Sequence, residues 1–122
     1  MSDALYQLAL RHVEAFRDGK VDVLIADYAD DARLVTSMGT IEGKAAIEEM
    51  FATNLASDFF SPATSETTFE PPVVVNEEVV IVYWATVNAT HRIAGGSDTL
   101  VVKNGKIIAH MASGEAIELS VA

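Results

Sequence analysis

The 122-residue chain contains no cysteine, which excludes disulfides, thiol nucleophiles and thiolate metal sites. Basic residues are few: 8 Lys and Arg against 18 Asp and Glu leave a net charge of −10. Such a balance argues against nucleic acid or an anionic membrane surface as a partner, and it weakly disfavours strongly anionic substrates. No apolar run approaches the ~18 residues of a membrane span and no apolar leader opens the chain, so a soluble cytoplasmic protein is expected. The three histidines form no His-x-His or His-x-x-x-His pair, and no compact carboxylate motif accompanies them. Neither a metal nor a cofactor is therefore expected. Gly95-Gly96 is not followed by a helix and is no phosphate loop.

What remains is strongly apolar, since half of the residues are hydrophobic. One domain spanning residues 1–122 buries about two-thirds of its unfolded surface, enough for a core that encloses a cavity. Leu5, Leu8, Ala9, His12, Val13 and Phe16 follow one helical stripe and predict a helix over 2–18, with Ser2 as N-cap and Gly19 as the C′ residue. Val21, Leu24, Ile25 and Tyr28 predict a second short helix ending near Asp30. Strands at 32–36 and 39–41 flank a turn at Ser37-Met38. A third helix over 43–57 presents Ile47, Met50, Phe51, Asn54 and Leu55 on one face, and a loop at 58–62 follows. The extended stretch 64–75 is broken by Pro71-Pro72, which places it at a sheet edge or a bulge. A long apolar strand over 79–92 is entered through Asn76-Glu77 and left through a turn at Ala94-Gly95-Gly96. Helices first and an antiparallel meander afterwards predict an α+β domain, three helices laid across a curved, mainly antiparallel sheet.

The most informative segment is the last hairpin. Asp98 heads the apolar run Thr99-Leu100-Val101-Val102, and Ile107 to Met111 return beyond Asn104-Gly105, a strong hairpin signal. A three-residue loop, Lys103-Asn104-Gly105, pairs 102 with 106 and sets Asp98 directly opposite His110. A two-residue Asn104-Gly105 turn puts Met111 there instead and sends His110 to the other face. On the preceding side, a three-residue Ala94-Gly95-Gly96 loop sets Arg92 opposite Asp98, and a two-residue turn brings His91 to its face. Asp98 and His110 are thus a candidate acid–base dyad, since a carboxyl buried in an apolar cavity is suited to exchange a proton with an activated carbon.

With these elements in place the chain resembles the NTF2-like superfamily, the cone-shaped fold of SnoaL-type polyketide cyclases and ketosteroid isomerases. Tyr28-Ala29-Asp30-Asp31-Ala32, then Gly39 through Glu42-Gly43-Lys44-Ala45-Ala46-Ile47, is similar to the family's helix–strand–helix passage. Asp98 with Asn104-Gly105-Lys106-Ile107 is similar to its closing hairpin. The resemblance implies that Asp98 stands where the isomerases hold a substrate oxyanion with a protonated Asp, and that His12 stands where they place the oxyanion-hole Tyr. Thr36 falls at the position of their base Asp, and threonine does not abstract a carbon-bound proton. SnoaL-type cyclases instead use the Asp98 position as the acid–base group, with a His on the preceding strand that His91 matches.

The expected function is a cofactor-independent isomerase or cyclase that moves a proton on a small apolar or aromatic carbonyl ligand. Asp98 and His110 are its catalytic pair and His12 or Tyr28 the oxyanion donor. Trp84, Met38, Met50 and Phe51 would form the wall, with Asn88 a polar anchor and Thr36 and His91 further lining residues. The alternative is a non-catalytic ligand-binding or dimerisation module. Both faces of the central strand are apolar, Val80, Val82, Trp84 and Thr86 on one and Val79, Ile81, Tyr83 and Val87 on the other. Alternation alone does not say which face is inward, and the other is expected to meet a second subunit in a homodimer.

Overall fold

A computed structural model describes residues 2–57 and 60–119. Helix α1 (Ser2–Arg17) buries the predicted stripe of Leu5, Leu8, Ala9, His12 and Val13. It stops at Gly19, whose φ of +69° only glycine adopts cheaply, while the Lys20 amide donates back to the Ala15 carbonyl at 2.9 Å. The side chain of Ser2, expected to cap this helix, lies outside the described residues, as do 58 and 59 of the expected loop.

Helix α2 (Val21–Ala26) is shorter than its apolar spacing predicts, because Tyr28 opens strand β1 (Tyr28–Thr36) instead of closing the helix. The Asp27 carbonyl accepts the Ile107 amide at 2.8 Å, and Tyr28 pairs with Ile107 in a parallel ladder. That pairing captures the chain about one turn before helix propensity would release it. Tyr28 points inward in either conformation, which is why the helical reading fitted. Strand β2 (Gly39–Glu42) returns through the Ser37-Met38 turn, and α3 (Lys44–Ala56) buries Ile47, Phe51 and Leu55.

The second half supplies β3 (Glu66–Phe69), β4 (Val73–Val74), β5 (Val79–Val87), β6 (His91–Lys103), β7 (Lys106–Ser113) and β8 (Ile117–Glu118). The sheet runs β2-β1-β7-β6-β5-β3, with β4 paired to β5 and β8 to β6. Among the described residues, only the β1–β7 pair is parallel. Pro71-Pro72 falls between β3 and β4 at the sheet's rim, where the missing N–H groups cost no ladder bond. Register shifts in β1–β7, β5–β6 and β6–β7 are bulges that curve the sheet around its helices. The core lies between, where Val80, Val82, Leu100 and Ile107 are fully buried beneath Leu8, Leu24 and Ile47.

One turn assignment is corrected, and the choice between two others is decided. Ala94-Gly95-Gly96 is not a turn: it lies inside β6, and the β5–β6 connection is made six residues earlier, around Asn88-Ala89-Thr90. The reason is Trp84. It pairs with Gly96, and a Cβ there would sit 2.3 Å from the indole, so glycine is needed for the ring to lie on the strand. The Asn104-Gly105 turn has two residues, both at positive φ, with Lys103 opposite Lys106. Asp98 therefore faces neither His110 nor Met111. Ile108 is an extra residue in β7, left unpaired between the Val102–Ile107 and Val101–Ala109 pairs, and Asp98 pairs with Ala112 while Leu100 pairs with His110. The bulge restores the parity that the short turn had broken.

Candidate functional site

Because β6 and β7 alternate together beyond the bulge, Asp98 and His110 are diagonal neighbours on the inner face. His110 Nε2 lies 3.0 Å from Asp98 Oδ1, the imidazole 2 % and the carboxylate 16 % exposed. On its other side, His110 Nδ1 is 2.7 Å from the Tyr28 hydroxyl, itself buried. His12 of α1 completes the group, its ring edge-on to His110 with centroids 5.6 Å apart. Four elements, α1, β1, β6 and β7, thus converge on one polar cluster.

The cluster borders a cavity of about 90 Å³ lined by Leu34, Thr36, Met50, Phe51, Phe69 and Trp84, among others. That volume is smaller than the ~150 Å³ that accommodates benzene. Burial and the nearby His110 push the His12 pKa down to about 4, against weaker opposing pulls from Asp98 and Asp27. His12 is consequently a neutral imidazole at pH 7. Burial raises the Tyr28 pKa well above its ordinary value, with Asp98 and Asp27 adding to the effect, so its hydroxyl keeps its proton. Among the described residues, His12 Nδ1 and the Trp84 indole N–H are buried without a hydrogen-bond partner. Orphaned polar groups beside a cavity are the ordinary mark of a place where a ligand supplies the missing partner.

The fold brings together Asp98, His110, His12, Thr36, Met50, Phe51 and Trp84 around this cavity, with Tyr28 behind His110. Three expected lining residues lie elsewhere. Met38 is 96 % exposed at the β1–β2 turn. Asn88 organises the β5–β6 turn, its Oδ1 accepting the Thr90 and His91 amides at 2.8 Å. His91 pairs with Glu118 and hydrogen-bonds Thr90, and Arg92 pairs with Val87, so neither meets Asp98. The Thr36 hydroxyl is spent on its own turn, donating to the Gly39 carbonyl and accepting the Met38 amide, both at 3.1 Å.

Several lining residues escaped the sequence reading. Leu34 follows from Thr36 by strand alternation and Phe16 from His12 by one helical turn. Phe69 and Ala112 are found only through their cross-strand partners Trp84 and Asp98. Asn54, placed on the inward face of α3, also reaches the cavity and donates to Met50 Sδ at 2.9 Å.

Three helices against a strongly curved mixed sheet with a polar cluster in its hollow define the NTF2-like class. Solved structures of this shape include an NTF2-like protein of unknown function from Burkholderia xenovorans, at TM-score 0.79 and 12 % identity over 93 % of this chain and 84 % of that one. A proposed ketosteroid isomerase from Kribbella flavida superposes at 0.77, with 16 % identity over 98 % and 84 %. A proposed polyketide cyclase from Xanthomonas campestris superposes at 0.68, with 16 % identity over 91 % and 90 %. At such identities the likeness establishes fold alone. The chain belongs to the SnoaL-like domain family, whose profile matches residues 9–110. No curated protein matches it in sequence. No helix among the described residues is long and apolar enough to cross a membrane.

Proposed function

We propose that this protein binds a compact, apolar carbonyl compound and moves a proton on the carbon beside the carbonyl, as an isomerase or cyclase without an organic cofactor. The observation that carries this reading is the buried Asp98–His110–Tyr28 series, with spacings of 3.0 and 2.7 Å at the edge of an apolar cavity. Asp98 is the group that takes and returns the proton, and His110 holds it in place and shares its charge. His12, neutral and facing the same cluster, is the donor for the developing enolate oxygen, and Trp84 and Phe51 sandwich the apolar part of the ligand.

The test is exchange of α-protons on a small ketone in deuterated buffer. Asp98→Asn should lower the exchange rate by about 10²–10⁴-fold while ligand binding stays within a few-fold. Exchange unchanged in that variant would sink the assignment. A non-catalytic, ligand-binding reading is favoured by one observation, the commitment of Thr36 to its turn at the position where isomerases carry their base. Binding of the ketone with no exchange in the wild type would select it.

The outer sheet face supports a homodimer in either case. Val35, Val73, Tyr83, Val87 and Met111 are each exposed by about two-fifths or more, an apolar surface that self-association would cover. Native mass spectrometry at micromolar concentration should give the dimer mass, and Tyr83→Lys should give the monomer.

A further inference from the structure

The Asp98–His110 contact raises a question of charge. Asp98 has no Lys or Arg partner among the described residues. His110 Nε2 has no aligned hydrogen bond although the carboxylate oxygen is 3.0 Å away. Two lone pairs do not approach so closely without a proton or a cation between them. If His110 Nδ1 donates to Tyr28, its Nε2 presents a lone pair to Asp98, and a carboxyl proton or a cation must lie between the two.

A third lone-pair atom closes the set. The ligand atoms of His12, Asp98 and His110 all lie within 4.8 Å of one another, and the partnerless buried nitrogen of His12 is its Nδ1. We infer that His12, Asp98 and His110 form a site for a divalent first-row transition metal ion, with Tyr28 fixing the ring of His110 from behind. This goes beyond the proton-transfer reading, since it assigns the same cluster a ligand that reading does not need.

Two imidazoles and one carboxylate are the mixed nitrogen and oxygen donor set of zinc and of non-haem iron, manganese or cobalt. Ligand–metal distances of ~2.0–2.1 Å separate tetrahedral donors by roughly 3.3 Å. The His110–Asp98 spacing of 3.0 Å is close to that value, and the His12 ligand atom lies within 4.8 Å of the other two. The Tyr28 hydroxyl, 2.7 Å from His110 Nδ1, is the outer partner that orients a metal-binding imidazole. Three protein ligands leave a coordination position open towards the cavity, where a carbonyl or carboxylate oxygen of a small ligand would sit. The three residues lie 86 and 12 positions apart on α1, β6 and β7, so no local spacing announces them.

The experiment uses the whole chain, freed of metal by chelator and titrated with cobalt(II) chloride. Trp84 is the only tryptophan and lines the same cavity, so its fluorescence reads occupancy directly. The expected result is one cobalt per chain, visible d–d absorption of a four- or five-coordinate ion, and quenching of Trp84 in step with it. His12→Ala and Asp98→Asn should each weaken uptake at least tenfold, whereas the Glu48→Gln/Glu49→Gln pair on the solvent side of α3 should not. Absence of these bands in the wild type, or uptake indifferent to His12→Ala and Asp98→Asn, overturns the site. The wild-type spectrum decides even if a variant fails to fold. Metal-free protein that exchanges ketone protons but takes up no cobalt removes the metal site and leaves the proton-transfer reading standing. Cobalt uptake without exchange does the reverse.

Discussion

One face of one sheet carries two very different interiors. Near the β6–β7 turn, Ile107, Leu100 and Val80 meet Leu24 and Ile47 with nothing left exposed. A few residues further along the same strands, Asp98, His110, Trp84 and Ala112 surround unfilled space. The backbone pairing continues through both, so the difference lies in side chains. At the filled end, branched aliphatics pair as Val80 with Leu100 and Val102 with Ile107. At the other end, Ala112 stands opposite Asp98 and Gly96 opposite Trp84. The indole fills the place beside Gly96, whereas the small side chain of Ala112 leaves a hollow whose walls carry groups that want a partner. The filled end supplies stability, and the hollow end gives some of it up to leave space open.

That contrast is broken most severely by removing bulk where the packing is complete. Ile107→Ala should cost about 2–5 kcal/mol in chemical denaturation while leaving ligand affinity within a few-fold. The reverse change at the hollow end, Ala112→Leu, should abolish ligand binding. It should cost less than the ~1–3 kcal/mol typical of overpacking a full core, because the added carbons enter existing space. A loss of stability at Ala112 equal to that at Ile107 would show that the hollow is not open to side chains.

Next in size is the pH response of the polar end. His12 titrates near 6.5 when unfolded and at about 4 when folded. Between those values the unfolded chain binds the proton and the native one does not. Its contribution is therefore present above pH 6.5 and lost as pH falls towards 4, by about 3 kcal/mol in all. Denaturation midpoints of the wild type should fall over that window relative to His12→Leu, which cannot take the proton. Parallel curves for the two proteins would mean that His12 is solvated.

The filled end was legible in the sequence and the hollow end only in part. Helical spacing located α1 and α3, and alternation located the strands, because burial of one face imposes those periods. Asp98, His12 and His110 stood out as polar residues among apolar neighbours. What connects them depends on features with no period. The extra residue at Ile108 is indistinguishable in sequence from any other apolar strand residue, yet it decides the face on which His110 lies. Of the two turns the sequence allows, the two-residue one forms, and the unseen bulge then returns His110 to the face of Asp98 that the three-residue reading had given it. Gly95-Gly96 misled for a related reason: glycine marks a close approach as well as a turn, and the indole responsible lies across the sheet. Asn88 was drawn into the site by strand alternation and His91 by the family resemblance, whereas local hydrogen bonding holds both outside it and exposure removes Met38.

The smallest effect, and the most discriminating, concerns Tyr28. Its hydroxyl and His110 Nδ1 are both buried and have each other at 2.7 Å. Tyr28→Phe removes one partner and leaves the imidazole nitrogen unsatisfied, a loss of about 1–2 kcal/mol with the ring packing against Phe51 preserved. Its consequence at the site depends on which atom carries the proton. If Tyr28 donates, the His110 proton sits on Nε2 facing Asp98, and the variant leaves it there. If Tyr28 accepts, the variant orphans the Nδ1 proton, which moves to Nε2 where the Asp98 carboxylate accepts it. Nitrogen-15 chemical shifts of the His110 ring in the two proteins distinguish these arrangements. An Nε2 signal that changes from unprotonated to protonated in Tyr28→Phe identifies tyrosine as the acceptor that a metal-binding His110 requires, and an Nε2 signal protonated in both proteins identifies it as the donor.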